Sequence, residues 1–164
     1  MSASAHGSTT FRGRTWHVAD AVCEPKPVQD PLPLLIGGKG DRMLGVVAPH
    51  ADEWNMWSTP EILAERAEVL ERRCAEIDRD PATITRSTQA LVFLTDDGAK
   101  GAELVQLVSP RPAVGGPVGR FAEMVAGWRD VGVDEVIVPD FTLGSGTRRT
   151  DQMDEILASV TDLR

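Results

Sequence analysis

No basic cluster occurs anywhere in this sequence. Its 17 lysines and arginines are outnumbered by 25 aspartates and glutamates, leaving a net charge of −8. Phosphate backbones need a focused positive surface, so nucleic acid is excluded as an expected partner. Long apolar runs are also missing. The longest, Leu32 to Gly38 and Ala90 to Leu94, fall far short of the roughly 20 residues that cross a bilayer. Met1 to Arg14 is polar and lacks the continuous apolar stretch of a secretory signal, so a cytoplasmic protein is expected. The two cysteines, Cys23 and Cys74, have no cysteine or histidine neighbour at metal-ligand spacing. Free thiols in a reducing compartment follow, and no metal site is expected. Of the histidines, His6 and His17 stand in a lead-in and a hairpin. No serine or cysteine nucleophile stands in a recognisable context, which removes hydrolase triads.

The sequence does have enough apolar residues for one domain with a real core, at 164 residues and 41% hydrophobic content. Residues 1–9 lack periodicity and are expected to be a mobile lead-in. Thr10 to Val18, two short aromatic or β-branched stretches split by Gly13, suits a small hairpin. Four prolines from Pro25 to Pro33 then hold the backbone extended. Leu34-Leu35-Ile36 emerges from them as a strand too continuously apolar to have a wet face.

A strand-then-helix alternation follows. Gly37-Gly38-Lys39-Gly40 turns into a helix carrying Met43, Leu44, Val46 and Val47, with Pro49 near its end. A short strand around Glu53-Trp54-Asn55 leads to Thr59-Pro60-Glu61, a capping hydroxyl, a proline at the first helical position and an early acid. The stripe Leu63, Ala67, Leu70, Cys74, Ile77 continues that helix. Ala90 to Leu94 reads as a second fully buried strand, closed by the turn and cap Asp96-Asp97-Gly98, and Ala99 to Val108 as a helix. Ser109 to Gly119 reads as a loop dense in proline and glycine, followed by a stripe from Phe121 to Val131 that Gly132 ends. Glu135 to Pro139 is expected to be the last buried strand, before a helix with Met153, Ile156, Leu157 and Val160. Four strand-helix units with short apolar strands imply parallel pairing, as a small open sheet or as half of an eight-stranded barrel.

Five blocks then stand in a recognisable order: Thr10-Phe11-Arg12-Gly13, Pro25 to Gln29, Pro33 to Gly40, Ala51 to Asn55, and Gly132 to Phe141. In order and spacing they resemble the luciferase-like monooxygenase family, and the last block resembles its deazaflavin-using members. The resemblance implies an α/β fold, a (β/α)8 TIM barrel of which this chain carries the four C-terminal βα units behind an N-terminal hairpin. It also implies hydride transfer at the C-terminal ends of the strands. The coenzyme would be coenzyme F420, with FMN as the alternative, and the co-reactant a small organic substrate. The first four strands are expected to be missing, so the chain is expected to be inactive alone. It is expected to form a homo-oligomer or to associate with a missing N-terminal half. The alternative is a non-catalytic remnant or binding module.

The candidate coenzyme site is Gly37, Gly38, Lys39 and Gly40, where backbone N–H groups at a helix start and one lysine can meet a phosphate. The spacing fits neither a P-loop nor a dinucleotide fingerprint, and the same glycines equally let a strand turn sharply into a helix. Asn55 is a second candidate, and is equally a turn former. In a barrel, Asn55, Thr95, Asp140 and Phe141 fall on the catalytic rim, whereas His50 and Asp52 fall on the far side. Gly115-Gly116-Pro117 is read either as a border of the coenzyme tail or as a loop breaker. No acid-base pair is identified. Hydride transfer needs none, because proximity and orientation supply much of its rate.

Overall fold

The structure is a computed structural model that describes residues 7–163. Residues 1–6, most of the expected lead-in and with it His6, lie outside the described residues. The chain divides into two compact units, one ending at Pro33 and the other beginning at Leu34.

The first unit contains the expected hairpin. Strands β1 (Thr9–Arg12) and β2 (His17–Ala21) pair antiparallel, with Phe11 opposite Val18 and Arg12 opposite His17. Gly13 N donates to Trp16 O at 2.9 Å to close the turn. Asp20, at a positive φ of 47°, donates its N–H to Thr10 Oγ1 at 3.1 Å. Polar side chains tolerate such a backbone where a local bond compensates it.

The second unit is built on a four-stranded parallel sheet. Its strands are β3 (Leu35–Gly37), β4 (Glu53–Trp57), β5 (Thr85–Gln89) and β8 (Glu135–Ile137), side by side in that order. Helix α1 (Asp41–His50) follows β3 and α2 (Pro60–Ala75) follows β4. Beyond Ala90 the chain of β5 runs on as β6 (Leu91–Leu94), which leads into α3 (Gly98–Val108). Strand β7 (Ala113–Gly116) pairs parallel with β6, and helices α4 (Val118–Asp130) and α5 (Thr147–Ser159) follow β7 and β8.

Local chemistry sets the helix starts. Thr59 accepts from Ile62 N, with Pro60 at the first helical position, and Leu63, Ala67, Leu70 and Cys74 all point inward at spacings of four, three and four. Asp97 Oδ1 accepts from Ala99 N at 2.9 Å and Lys100 N at 3.1 Å, capping α3. Two aspartates tie strand entrances together. Asp52 Oδ2 accepts from Leu34 N and Asp134 Oδ2 from Arg86 N, each at 2.8 Å.

Five expectations need correction. The strand at Leu34 to Ile36 is not dry: β3 is a sheet edge, with Leu34 and Leu35 about half exposed. Thr85–Gln89 is a strand that the polar run Thr-Arg-Ser-Thr-Gln concealed, and Ala90 to Leu94 is only its continuation, with Phe93 and Leu94 half-buried. The proline- and glycine-rich stretch expected to be a loop contains β7. The last strand is not buried, because β8 is the other edge and Glu135 and Ile137 face solvent. Ile77 lies beyond the end of α2 and is exposed.

Alternation separates the two faces of the sheet. Ile36, Trp54 and Met56 join a core with Leu44, Val47, Leu63 and Leu70 of α1 and α2. Val136 joins a second with Phe121 and Trp128 of α4 and Ile156 of α5. Residues of the opposite parity, Leu35, Gly37, Glu53, Asn55, Trp57, Ser87, Gln89, Glu135 and Ile137, belong to neither core.

Candidate functional site

Parallel strands put all their C-terminal ends on one edge of the sheet, and the helices begin there. Gly37 lies in register with Asn55. The bend beyond Gly37 is held from two sides: Gly38 N donates to Asn55 O at 3.0 Å, and Trp54 Nε1 donates to Gly38 O at 2.7 Å. Gly38 has φ of 139°, a backbone region that side chains rarely adopt, and a Cβ there would stand 2.8 Å from Met43 Cγ. Here glycine is required by the turn itself.

Gly37, Gly38, Lys39 and Asn55 line one shallow cleft of about 360 Å³ together with Met56 and Trp57. Gly40 does not line it, and serves as the N-cap of α1 in extended backbone. Lys39 and Trp57 also border a larger cleft of about 550 Å³, whose other walls include Leu91, Pro112, Arg111 and Phe141. The bend, Asn55 and the stretch after β8 therefore open at the same end of the sheet. Neither Lys39 nor Arg111 makes an ion pair or a side-chain hydrogen bond among the described residues.

The start of α1 carries an acid as well as free N–H groups. Asp41 is engaged by the Arg66 guanidinium, whose hydrogen bond and then charge hold its carboxyl below the usual carboxylate range. That pairing answers the Asp41 charge within the chain, and the Lys39 ammonium stands beside the positive end of the helix dipole.

The Asn55 amide is committed. Its Nδ2 donates to Ser87 Oγ at 2.9 Å, Ser87 Oγ donates to Glu53 Oε1 at 2.5 Å, and Gln89 Nε2 reaches Asn55 Oδ1 at 3.4 Å. Asn55 thus supports the glycine bend through its carbonyl, and its side chain belongs to a polar ladder across the sheet.

The remaining candidates separate. Gly115 and Pro117 border a groove of about 490 Å³ at the starts of α2 and α4, with Thr59 and Arg120. Thr95 borders a polar cleft of about 300 Å³ with Arg148 and Gln152. Asp140 is held by Arg149, Nη1 to Oδ2 at 2.9 Å. His50 ends α1 and is exposed, and Asp52 anchors Leu34 at the strand entrances, away from the clefts. Sequence reasoning did not single out Arg111, Leu91 or Arg148. Arg111 sits in the stretch Ser109 to Gly119 expected to be a loop, and the β6–β7 pairing brings that stretch to the cleft that Trp57 also borders. Among the described residues no three His, Cys, Asp or Glu side chains are placed to hold a metal, and no helix is long and apolar enough to cross a membrane.

A parallel sheet with helices behind it and open clefts at the strand C-termini defines an α/β protein of the kind that binds ligands at that rim. The family model of luciferase-like monooxygenases matches residues 2–140, and the chain belongs to that family. No curated protein matches significantly. Among solved structures the chain is similar to an F420-dependent secondary alcohol dehydrogenase in complex with an F420-acetone adduct, at 14% identity and TM-score 0.70, covering 94% of this chain and 56% of that one. It is also similar to the coenzyme F420 dependent tetrahydromethanopterin reductase from Methanopyrus kandleri, at 14% identity and TM-score 0.68, covering 93% and 57%. A long-chain alkane monooxygenase matches at 13% identity and TM-score 0.66, covering 96% and 47%. The chain spans about half the length of these solved relatives, and at such identities the likeness shows the fold alone.

Proposed function

We propose that this chain is the C-terminal half of a (β/α)8 barrel oxidoreductase that passes hydride between a reduced coenzyme and a small organic substrate, and that it acts only when the rest of the barrel is supplied. Coenzyme F420 is the proposed coenzyme, with FMN as the alternative. The observation that carries this reading is the cleft bordered by Lys39, Trp57, Arg111 and Phe141 at the strand C-termini. Both coenzymes join a flat ring to a phosphate-bearing tail. The donor set fits them: two uncommitted cations suit the tail, and Trp57, Leu91 and Phe141 supply apolar surface for the ring.

The bound coenzyme supplies the hydride chemistry. The chain's own residues orient it and shield it from water. Lys39 and the first N–H groups of α1 hold anionic oxygens, the Trp54 to Gly38 bond keeps the bend open, and Trp57 with Phe141 narrows the cleft. No side chain of this chain is assigned a proton-transfer role.

Titration of the purified chain with coenzyme F420 and separately with FMN, followed by fluorescence, tests the reading. Binding of either, weakened about tenfold in Lys39→Ala by loss of a charged contact of about 1.4 kcal/mol, supports it. The second reading, a remnant that holds no coenzyme, is favoured by the open, partly apolar face of the sheet. Absence of binding to both coenzymes by the folded chain would favour it over the first.

A further inference from the structure

The cleft bordered by Lys39 and Arg111 carries a charge opposite to that of the chain. The sequence has a net charge of −8, yet the described residues lining this cleft of about 550 Å³ include both cations and no acid. A cleft walled by one sign of charge concentrates ions of the other. The two cations differ in setting. Lys39 also borders the smaller cleft beside Gly37 and Gly38, whereas Arg111 borders only the larger of these two. The first N–H groups of α1 follow Lys39 in the chain, so a phosphate held there takes Lys39 as its cation and leaves Arg111 unanswered.

A stiff piece of backbone presents Arg111. Pro110 and Pro112 flank it, fixing φ on both sides and disfavouring helical backbone at Arg111 itself. Arg111 N donates to Val108 O at the end of α3, and Leu91 N donates to Pro112 O, each at 2.9 Å. Among the described residues no carboxylate pairs with the guanidinium. Its planar fork matches an incoming carboxylate through two parallel bonds. The remaining walls are Trp57, Leu91, Pro110, Pro112 and Phe141, apolar apart from the indole N–H of Trp57. A molecule rich in hydroxyls finds few side-chain partners there, and hydroxyls covered without a partner oppose binding. An aromatic or aliphatic body fits these walls better.

We propose that Arg111 is the recognition residue for the co-substrate, and that the co-substrate is a small organic carboxylate with an aromatic or aliphatic body. Calling the anion a co-substrate rests on the coenzyme reading, while the carboxylate site is tested without coenzyme, so the two fail separately. The probe is benzoate, with benzamide as an uncharged molecule of the same shape. Each is titrated into the purified chain at fixed ionic strength and followed by backbone amide NMR shifts. The expected result is saturable benzoate binding with shifts at Arg111, Leu91 and Phe141. Binding is expected to be about tenfold weaker or more for benzamide and in Arg111→Ala, partly recovered in Arg111→Lys, and changed less than about threefold in Lys39→Ala. Arg111 is exposed and meets the rest of the chain through backbone bonds, so its variants keep the fold, as circular dichroism checks. Equal binding of benzoate and benzamide, or wild-type affinity in Arg111→Ala, would overturn the site. A repeat with saturating coenzyme F420 separates a co-substrate from carboxylates of the coenzyme's own tail. Benzoate retained beside the coenzyme supports the proposal, and benzoate displaced from Arg111 by the coenzyme overturns it. If neither F420 nor FMN binds, the coenzyme reading fails and the benzoate titration still decides the carboxylate site.

Discussion

Gly101 of α3 and Gly115 of β7 meet backbone to backbone, with no side chain between helix and strand. A Cβ on Gly101 would lie 2.6 Å from the Gly115 carbonyl carbon, and one on Gly115 would lie 2.8 Å from that of Gly101. The contact lets α3 close over β7, the strand that carries the chain from β6 back to α4.

Gly101→Ala tests this relationship. In an exposed helix the change stabilises by about 1 kcal/mol, but here the new methyl meets backbone that cannot yield, at a cost of about 1–3 kcal/mol. The expected net outcome is a lower urea midpoint, with larger loss in Gly101→Val. An unchanged or raised midpoint in Gly101→Ala would show that α3 moves freely over β7.

Arg79 is expected to be the most consequential surface arginine. Its Nη1 donates to Ala48 O and its Nη2 to Ala51 O, both at 2.8 Å, so one guanidinium joins the end of α1 to the region beyond α2. Arg79→Ala leaves two carbonyls without their charged donor, and hydrogen bonds to charged groups contribute about 1.5–3 kcal/mol each before relaxation. A loss of about 2 kcal/mol in denaturant unfolding is expected, with Arg79→Lys recovering only part because an ammonium cannot span both acceptors in a plane.

Acid should weaken the fold partly through Asp41. Its carboxyl is depressed in the folded chain, first by the hydrogen bond from Arg66 and then by its charge. A depressed group contributes stability above its unfolded value near 3.8 and loses it as pH falls through the folded value. Asp41→Asn should therefore show a flatter decline in stability below pH 3.8 than wild type. The side chain is exposed, so the difference should shrink in high salt; parallel declines in the two proteins would remove the pairing from the account.

The two thiols should react unequally. Cys74 is fully buried on the α2 stripe and burial pushes its pKa up, whereas Cys23 is exposed. A disulfide reagent at neutral pH is expected to modify one cysteine in the native chain and both after denaturation. Rapid modification of both in the native state would show that α2 opens readily.

The helices were legible because periodicity and capping are local. Thr59-Pro60-Glu61 and Asp97-Gly98 start helices through bonds spanning two or three residues, and Leu63, Ala67, Leu70 and Cys74 need only a common face. The Gly37 to Gly40 bend was legible for the same reason, since strand, glycine turn and helix are contiguous. The polar strand Thr85–Gln89 was not. It reads as a strand only because β4 and β8 flank it and its hydroxyl and amide groups bond across to Glu53, Asn55 and Met56 O. The place of Arg111 was hidden likewise, because proline-rich chain gives no local sign that it returns to the cleft that Trp57 borders.

The sequence by itself determined the helix starts at Thr59 and Asp97, the apolar stripes of the helices and the glycine bend, since each rests on neighbours within one or two turns of chain. Only the tertiary structure decided which strands are edges, which face of the sheet stays open, and that Asn55 spends its amide on Ser87. Those outcomes depend on pairing between residues 18 to 48 positions apart, and no local pattern of apolarity encodes which partner will arrive beside a strand or whether one arrives at all.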